Sequence, residues 1–206
     1  MNLLLVAYYY DPFPGVGAQR ISYWAKNINR ADGSINVSVV TATPGTASTP
    51  ETKVYYLDNT KPQKKLINLF KTHRDEINWS YSLEEWLKTS KEKYDVVLFT
   101  GGPFLHFRVA KWLKKHTNSK IVFDFRDPMS NNPRAENRGL FLKIKRFLMS
   151  LIERGFVKNA DLVISVNPWC LDLIRGVKNM KTAIIDNGYD ENTMRKTKYI
   201  YNEDSI

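Results

Sequence analysis

A single cysteine, Cys170, in 206 residues leaves no intrachain disulfide to form and no second thiol to share a metal. That excludes a disulfide-stapled scaffold and a cysteine-rich zinc fold, and it favours a reducing compartment. Nor is there an apolar run near the roughly 20 residues that a membrane-spanning helix needs. The opening MNLLLVAYYY lacks the basic leader of a secretory signal, and its apolar run stops at Asp11-Pro12 without a small-residue cleavage site. It reads as a buried strand. Basic runs interleaved with aromatics, a helix-turn-helix pattern and zinc-finger spacing are also missing, so nucleic acid is not expected as a partner.

What remains is the composition of one folded domain, 43% hydrophobic and 25% charged. Lys and Arg outnumber Asp and Glu by 31 to 21, a net charge of +10. The excess attracts phosphate-bearing substrates, anionic lipid or other polyanions. Short β-branched runs alternate with helical patterns, and strands are expected at Asn2-Ala7, Asn36-Thr41, Lys53-Leu57, Asp95-Thr100, Lys120-Phe125, Leu162-Val166 and Thr182-Ile185. Several are apolar throughout and need burial on both faces. The predicted fold class is α/β, a Rossmann-like doubly wound parallel sheet. A helix over about Gly17 to Arg30 puts Ile21, Trp24, Ala25 and Ile28 on the face that packs on the sheet. Between Thr60 and Lys93, a Lys-rich stretch with Leu66, Ile67, Leu69, Phe70, Trp79, Trp86 and Leu87 predicts an insertion-like helical element beside the cleft.

In such a sheet ligands bind beyond the carboxyl ends of the strands. After the first strand, Gly15 and Gly17 precede a helix and can bring backbone N–H groups close to an anion such as phosphate; a tight turn that merely needs glycine explains them equally well. The loop is neither a Walker motif nor a dinucleotide fingerprint, and the second strand ends without the acidic residue that would hold a ribose. After the Asp95-Thr100 strand, Gly101 and Gly102 allow close ligand approach, and His106 is a candidate hydrogen-bonding or acid-base group, although a lone helical histidine is more often structural. Phe123-Asp-Phe-Arg-Asp-Pro128 puts Asp124, Arg126 and Asp127 at a strand end. Asp124 and Arg126 share one face while the phenylalanines take the other, so the charges either converge on the cleft or brace the strand as an ion pair.

From Leu140 to Val157 the residues Leu140, Ile144, Phe147, Leu148, Leu151 and Ile152 form one helical face, with Lys143, Arg146, Ser150, Glu153 and Arg154 opposite. Packing on the sheet is the ordinary use of such a face; lying on anionic lipid is the other.

Five segments in order, Tyr9-Tyr-Asp-Pro-Phe-Pro-Gly-Val-Gly-Ala-Gln-Arg20, Tyr94-Asp-Val-Val-Leu-Phe-Thr-Gly-Gly-Pro-Phe104, Asp124-Phe-Arg-Asp-Pro128, Asn159-Ala-Asp-Leu-Val-Ile-Ser-Val166 and Asp186-Asn-Gly-Tyr-Asp190, resemble the amino-terminal domain of glycosyltransferase family 4. The resemblance runs from about Met1 to Asp190. One departure is chemical: many members carry His-Asp where this chain has Arg126-Asp127.

The resemblance implies one half of a GT-B enzyme, two Rossmann-like domains facing across a cleft, with the carboxyl-terminal domain supplying most contacts to the nucleotide sugar. Residues 1–185 are then the acceptor-side domain, and 186–206 a linker or the start of a further domain that this chain does not contain. The implied enzyme transfers a sugar, with retention and without metal or cofactor, from a nucleotide-sugar donor to a sugar or polyprenyl-linked acceptor of a surface polysaccharide. It would work in the cytoplasm, with peripheral contact at the inner face of the cell membrane. Gly15, Gly17 and Arg20 are expected near the departing diphosphate, with Asp124, Arg126 and Asp127 orienting hydroxyls, and the chain alone is expected to be inactive. A noncatalytic acceptor-binding or membrane-recruiting subunit and an unrelated Rossmann enzyme are the competing expectations.

Overall fold

The computed structural model describes residues 1–45, 48–58, 74–131 and 139–188. Seven strands lie in one all-parallel sheet: β1 (Asn2–Ala7), β2 (Asn36–Thr41), β3 (Thr52–Tyr56), β4 (Val96–Thr100), β5 (Lys120–Phe125), β6 (Leu162–Ser165) and β7 (Thr182–Ile184). Their spatial order is β3-β2-β1-β4-β5-β6-β7. The helices are α1 (Val16–Ala31), α2 (Arg74–Thr89), α3 (Ala110–His116), α4 (Leu140–Val157) and α5 (Pro168–Leu173), with a 3-10 turn at Leu105–Val109 leading into α3. The expected α/β, Rossmann-like sheet is therefore present, with every strand found within two residues of its sequence position. The assignment of 189–206 and of Leu66, Ile67, Leu69 and Phe70 lies outside the described residues.

Alternation along each strand divides the core into two layers. On one face Leu3, Leu5, Ala7, Val37, Val39, Leu98, Val122 and Ile164 pack with Ile21 and Ala25 of α1. On the other, Leu4, Val6, Val40, Val97, Phe99, Ile121, Phe123, Phe125 and Val163 pack with Trp79 and Leu83 of α2, Phe107, and Leu113 of α3. Both faces of the apolar strands are thus removed from water, the arrangement a parallel sheet requires.

Helix α2 corrects the expectation of an insertion. Strand β3 sits at the sheet edge and β4 beside β1, so the connection has to cross β2 and β1. Trp79 and Leu83 of α2 are fully buried in the layer formed by Leu4 and Val40, which makes α2 part of the crossover that covers this face. Aromatic rings fill the layer beside it: Phe107 stacks on Phe123 with centroids 4.3 Å apart, and Phe104 on Phe125 at 5.4 Å.

Phe107 is fully buried. Phe107→Ala should lower unfolding free energy by about 3–5 kcal/mol, read as a shift of the denaturant midpoint; a shift near zero would show that the aromatic layer does not carry the fold.

Candidate functional site

The strand order reverses between β1 and β4, and the crevice at such a switch point is where open α/β sheets bind ligands. Three segments meet there: the loop from β1 to α1, the Gly101-Gly102 loop after β4, and the end of β5. Arg126 joins them. Its Nε donates to the Gly101 carbonyl at 3.1 Å, and its Nη2 donates to the carbonyls of Gly101 and Gly102.

The guanidinium fills space that only glycine leaves open. A Cβ at Gly17 would collide with it, and a Cβ at Gly102, whose φ is +78°, would sit 3.1 Å from Nη2. Gly17 and Gly102 therefore serve close approach of an arginine. Nη1 lies at the first turn of α1 and has no acceptor among the described residues. That helix starts at Gly15 without a side-chain cap and without an acidic residue in its first turn. The Ala18 and Gln19 N–H groups bond the Gly15 carbonyl, whereas those of Val16 and Gly17 have no protein acceptor among the described residues. A helix N-terminus and a guanidinium thus converge with donors to spare, an arrangement suited to an anion. Burial lowers the Arg126 pKa, and the charges of Asp124 and Asp127 raise it; guanidinium remains protonated throughout.

Asp127 is exposed, next to this cluster. Asp124 is completely buried: Arg20 reaches it through Nε at 3.2 Å and Nη2 at 3.1 Å, and the Thr100 hydroxyl donates to it at 3.1 Å. The other Arg20 N–H groups donate to the carbonyls of Ile185 and Asp186, both at 2.9 Å, and to Asn187 Oδ1 at 3.3 Å. All five donors are committed inside the protein, so Arg20 has none to offer a diphosphate, and its indole neighbour Trp24 covers it at 4.3 Å. The same bonds give Asp124 a bracing part: it holds Arg20, which holds the chain leaving β7.

His106 is fully buried between the rings of Trp79, Phe99 and Phe107, with centroids 5.3, 6.1 and 5.1 Å away. Burial pushes its pKa down to about 3, which keeps the imidazole neutral, and the neighbouring rings shield it from solvent. Glu153 of α4 went unrecognised in the sequence, where its place opposite the apolar residues reads as solvent-facing. It is buried, and accepts from the Met129 N–H at 2.9 Å, the Arg175 N–H at 3.4 Å and the Ser130 hydroxyl. It thereby fixes the segment just after Asp127. Burial raises its pKa against the opposing effect of these bonds. The one signal available was that Glu153 is the single carboxylate in a helix whose other charges are all basic.

The family model described as Glycosyltransferase Family 4 matches residues 15–193. The chain belongs to glycosyltransferase family 4. Among solved structures, a sucrose-phosphate synthase from Thermosynechococcus elongatus is similar over 90% of this chain and 48% of its own, at 15% identity and a TM-score of 0.60. The glycotransferase of kitacinnamycin is similar over 98% and 55% respectively, at 10% identity and a TM-score of 0.55. No match was found among curated proteins. At such identities the likeness speaks for the fold, a Rossmann-like domain of GT-B type. This family 4 chain spans about half the length of those two structures.

Two outcomes test the site's framework. Because His106 has a folded pKa of about 3 against an ordinary 6.5, the unfolded chain binds more protons between those values. Its contribution to stability is complete above pH 6.5 and falls as pH drops toward 3, by about 1.4 kcal/mol per pH unit. His106→Phe should flatten the stability profile over that window relative to the parent. Removing one partner of the buried pair by Arg20→Ala should cost about 3–5 kcal/mol, because Asp124 is left charged and unpaired; urea titration reads this directly.

Proposed function

We infer that this chain is the acceptor-side half of a retaining glycosyltransferase. The complete enzyme moves a sugar from a nucleotide-sugar donor to a surface-polysaccharide acceptor, either a sugar or a polyprenyl-linked glycan. Family membership supports the reaction class, and the site observation that carries the reading is the convergence of Arg126 Nη1 with the uncapped start of α1. Loss of a nucleoside diphosphate develops negative charge, and preorganised donors in a partly dry cleft stabilise that charge without reorganising. Gly17 leaves room for the guanidinium and offers its own N–H, Gly15 packs against the Phe13 ring where the helix starts, Gly101 and Gly102 hold the guanidinium by their carbonyls, and Arg126 supplies the charge. Asp127, exposed beside it, accepts a hydroxyl of the sugar or acceptor and orients it. Asp124 and Arg20 position the site from beneath. Work in the cytoplasm of a bacterium, at the inner face of the cell membrane, suits a polyprenyl-linked acceptor. The contact proposed there is peripheral; among the described residues no helix is long and apolar enough to cross a membrane.

The test uses the enzyme with its donor-binding half, measuring transfer rate and melting temperature together. Arg126→Met should lower kcat roughly 10²–10³-fold, the effect of losing one donor to developing charge. Asp127→Asn should lower it about 10²-fold by misplacing a hydroxyl, with stability changed by less than about 0.5 kcal/mol because the side chain is exposed. Unchanged transfer by both variants with the fold intact would refute the assignment and favour a noncatalytic acceptor-binding or membrane-recruiting subunit.

A further inference from the structure

Helix α4 is mounted with its polar side inward. Glu153 and Arg146 face the protein, where Glu153 accepts from the Met129 N–H and the Ser130 hydroxyl and Arg146 donates to Asn131 Oδ1 at 2.7 Å. The apolar stripe expected to pack on the sheet is turned outward instead. Leu140 is 75% exposed, Ile144 51%, Phe147 60%, Leu148 50% and Leu151 51%. Ile152 is half-buried, and the last turn reaches the core through Val157, with Phe156 packed against it. Two N–H groups and a hydroxyl hold Glu153 on the inward side, and a helix cannot present both faces to one neighbour.

The spacing of Leu140, Ile144, Phe147, Leu148 and Leu151 makes one continuous stripe along about three turns. Its flanks carry one sign of charge. Lys143, Lys145, Arg154 and Lys158 are exposed, while Glu153, the single carboxylate of the helix, has no exposure. Contiguous apolar surface of this kind marks an interaction site, and an apolar stripe edged by lysine and arginine matches a bilayer that offers acyl chains below an anionic headgroup layer. Pairing with a second copy would bring the same cations together with no carboxylate on the stripe to neutralise them.

We propose that the outward face of α4 docks on an anionic lipid bilayer, with Phe147, Leu148 and Leu151 entering the headgroup boundary and Lys143 and Lys145 meeting lipid phosphates. The inference deepens the peripheral contact in the function inferred above, and rests on that part of it alone. It also sets a geometry: α4 follows β5 in the chain, so the stripe begins at the end of the sheet that carries Asp127 and Arg126. A lipid-linked acceptor held in that bilayer would then present its head group to the cleft.

The test is cosedimentation of the 206-residue chain with vesicles of phosphatidylcholine alone and of phosphatidylcholine mixed with phosphatidylglycerol, together with sedimentation velocity without lipid. Binding to the mixed vesicles is expected, weakening with salt. Phe147→Ser/Leu151→Ser should lower the vesicle association constant tenfold or more, and Lys143→Glu/Lys145→Glu should do so while removing most of the salt dependence. Melting temperatures should not fall, because these side chains are already exposed. Asp127→Asn should bind vesicles like the parent, so a failed transfer site and a failed docking face give different results. No vesicle binding by the parent, or equal binding by the stripe variants, overturns the proposal. Self-association abolished by Phe147→Ser/Leu151→Ser, without vesicle binding, would assign the face to a second copy and overturn it as well.

Discussion

A carboxylate removed from all water has to be matched by charge and hydrogen bonds, and Asp124 imposes that demand at the centre of the carboxyl edge of the sheet. Arg20 answers it from α1 and Thr100 from β4. Two charges in a low-dielectric setting tolerate little displacement, so the pair sets where α1 begins relative to β5. That in turn sets the distance between the start of α1 and the guanidinium of Arg126. The exposed chemistry of the cleft therefore depends on an ion pair buried beneath it. Arginine appears twice with opposite employment: Arg20 saturated by the protein, Arg126 held by two carbonyls with a donor left over.

Much of this was legible in the sequence because short periods carry it. The alternation in Phe123-Asp-Phe-Arg126 states that Asp124 and Arg126 share a face opposite the phenylalanines, and the structure places Phe123 and Phe125 together in the layer under α2. Continuous apolar strands forced a sheet covered on both sides. The position of α2 was not legible, since which edge β3 occupies depends on strand order, and local pattern does not specify that order. Arg20 was misjudged for a similar reason: its partner lies 104 residues away, and nothing local distinguishes an arginine that meets a buried carboxylate from one that meets a substrate. His106 reads alike in sequence whether it faces a cleft or an aromatic core.

Helix α4 shows the limit of amphipathicity as a guide. A helical period reveals which side is apolar, but not what that side faces. Here the inward side carries Glu153, whose carboxyl group accepts from the Met129 and Arg175 N–H groups and the Ser130 hydroxyl, donors that would lose this partner if the helix were turned to bury its leucines. The net charge of +10 gains a location by this route, as part of it lines a helix whose one carboxylate is buried.

The grip of Arg20 on the carbonyls of Ile185 and Asp186 and on Asn187 has a mechanical consequence. The chain leaving β7 is clamped through three residues to the rigid sheet, and Gly188 is the next residue, with open space around its α-carbon. A pull on residues 185–187 is passed through one guanidinium to Asp124 in the middle of the sheet, so the exit of the last strand and the start of the first helix are cinched by a single strap.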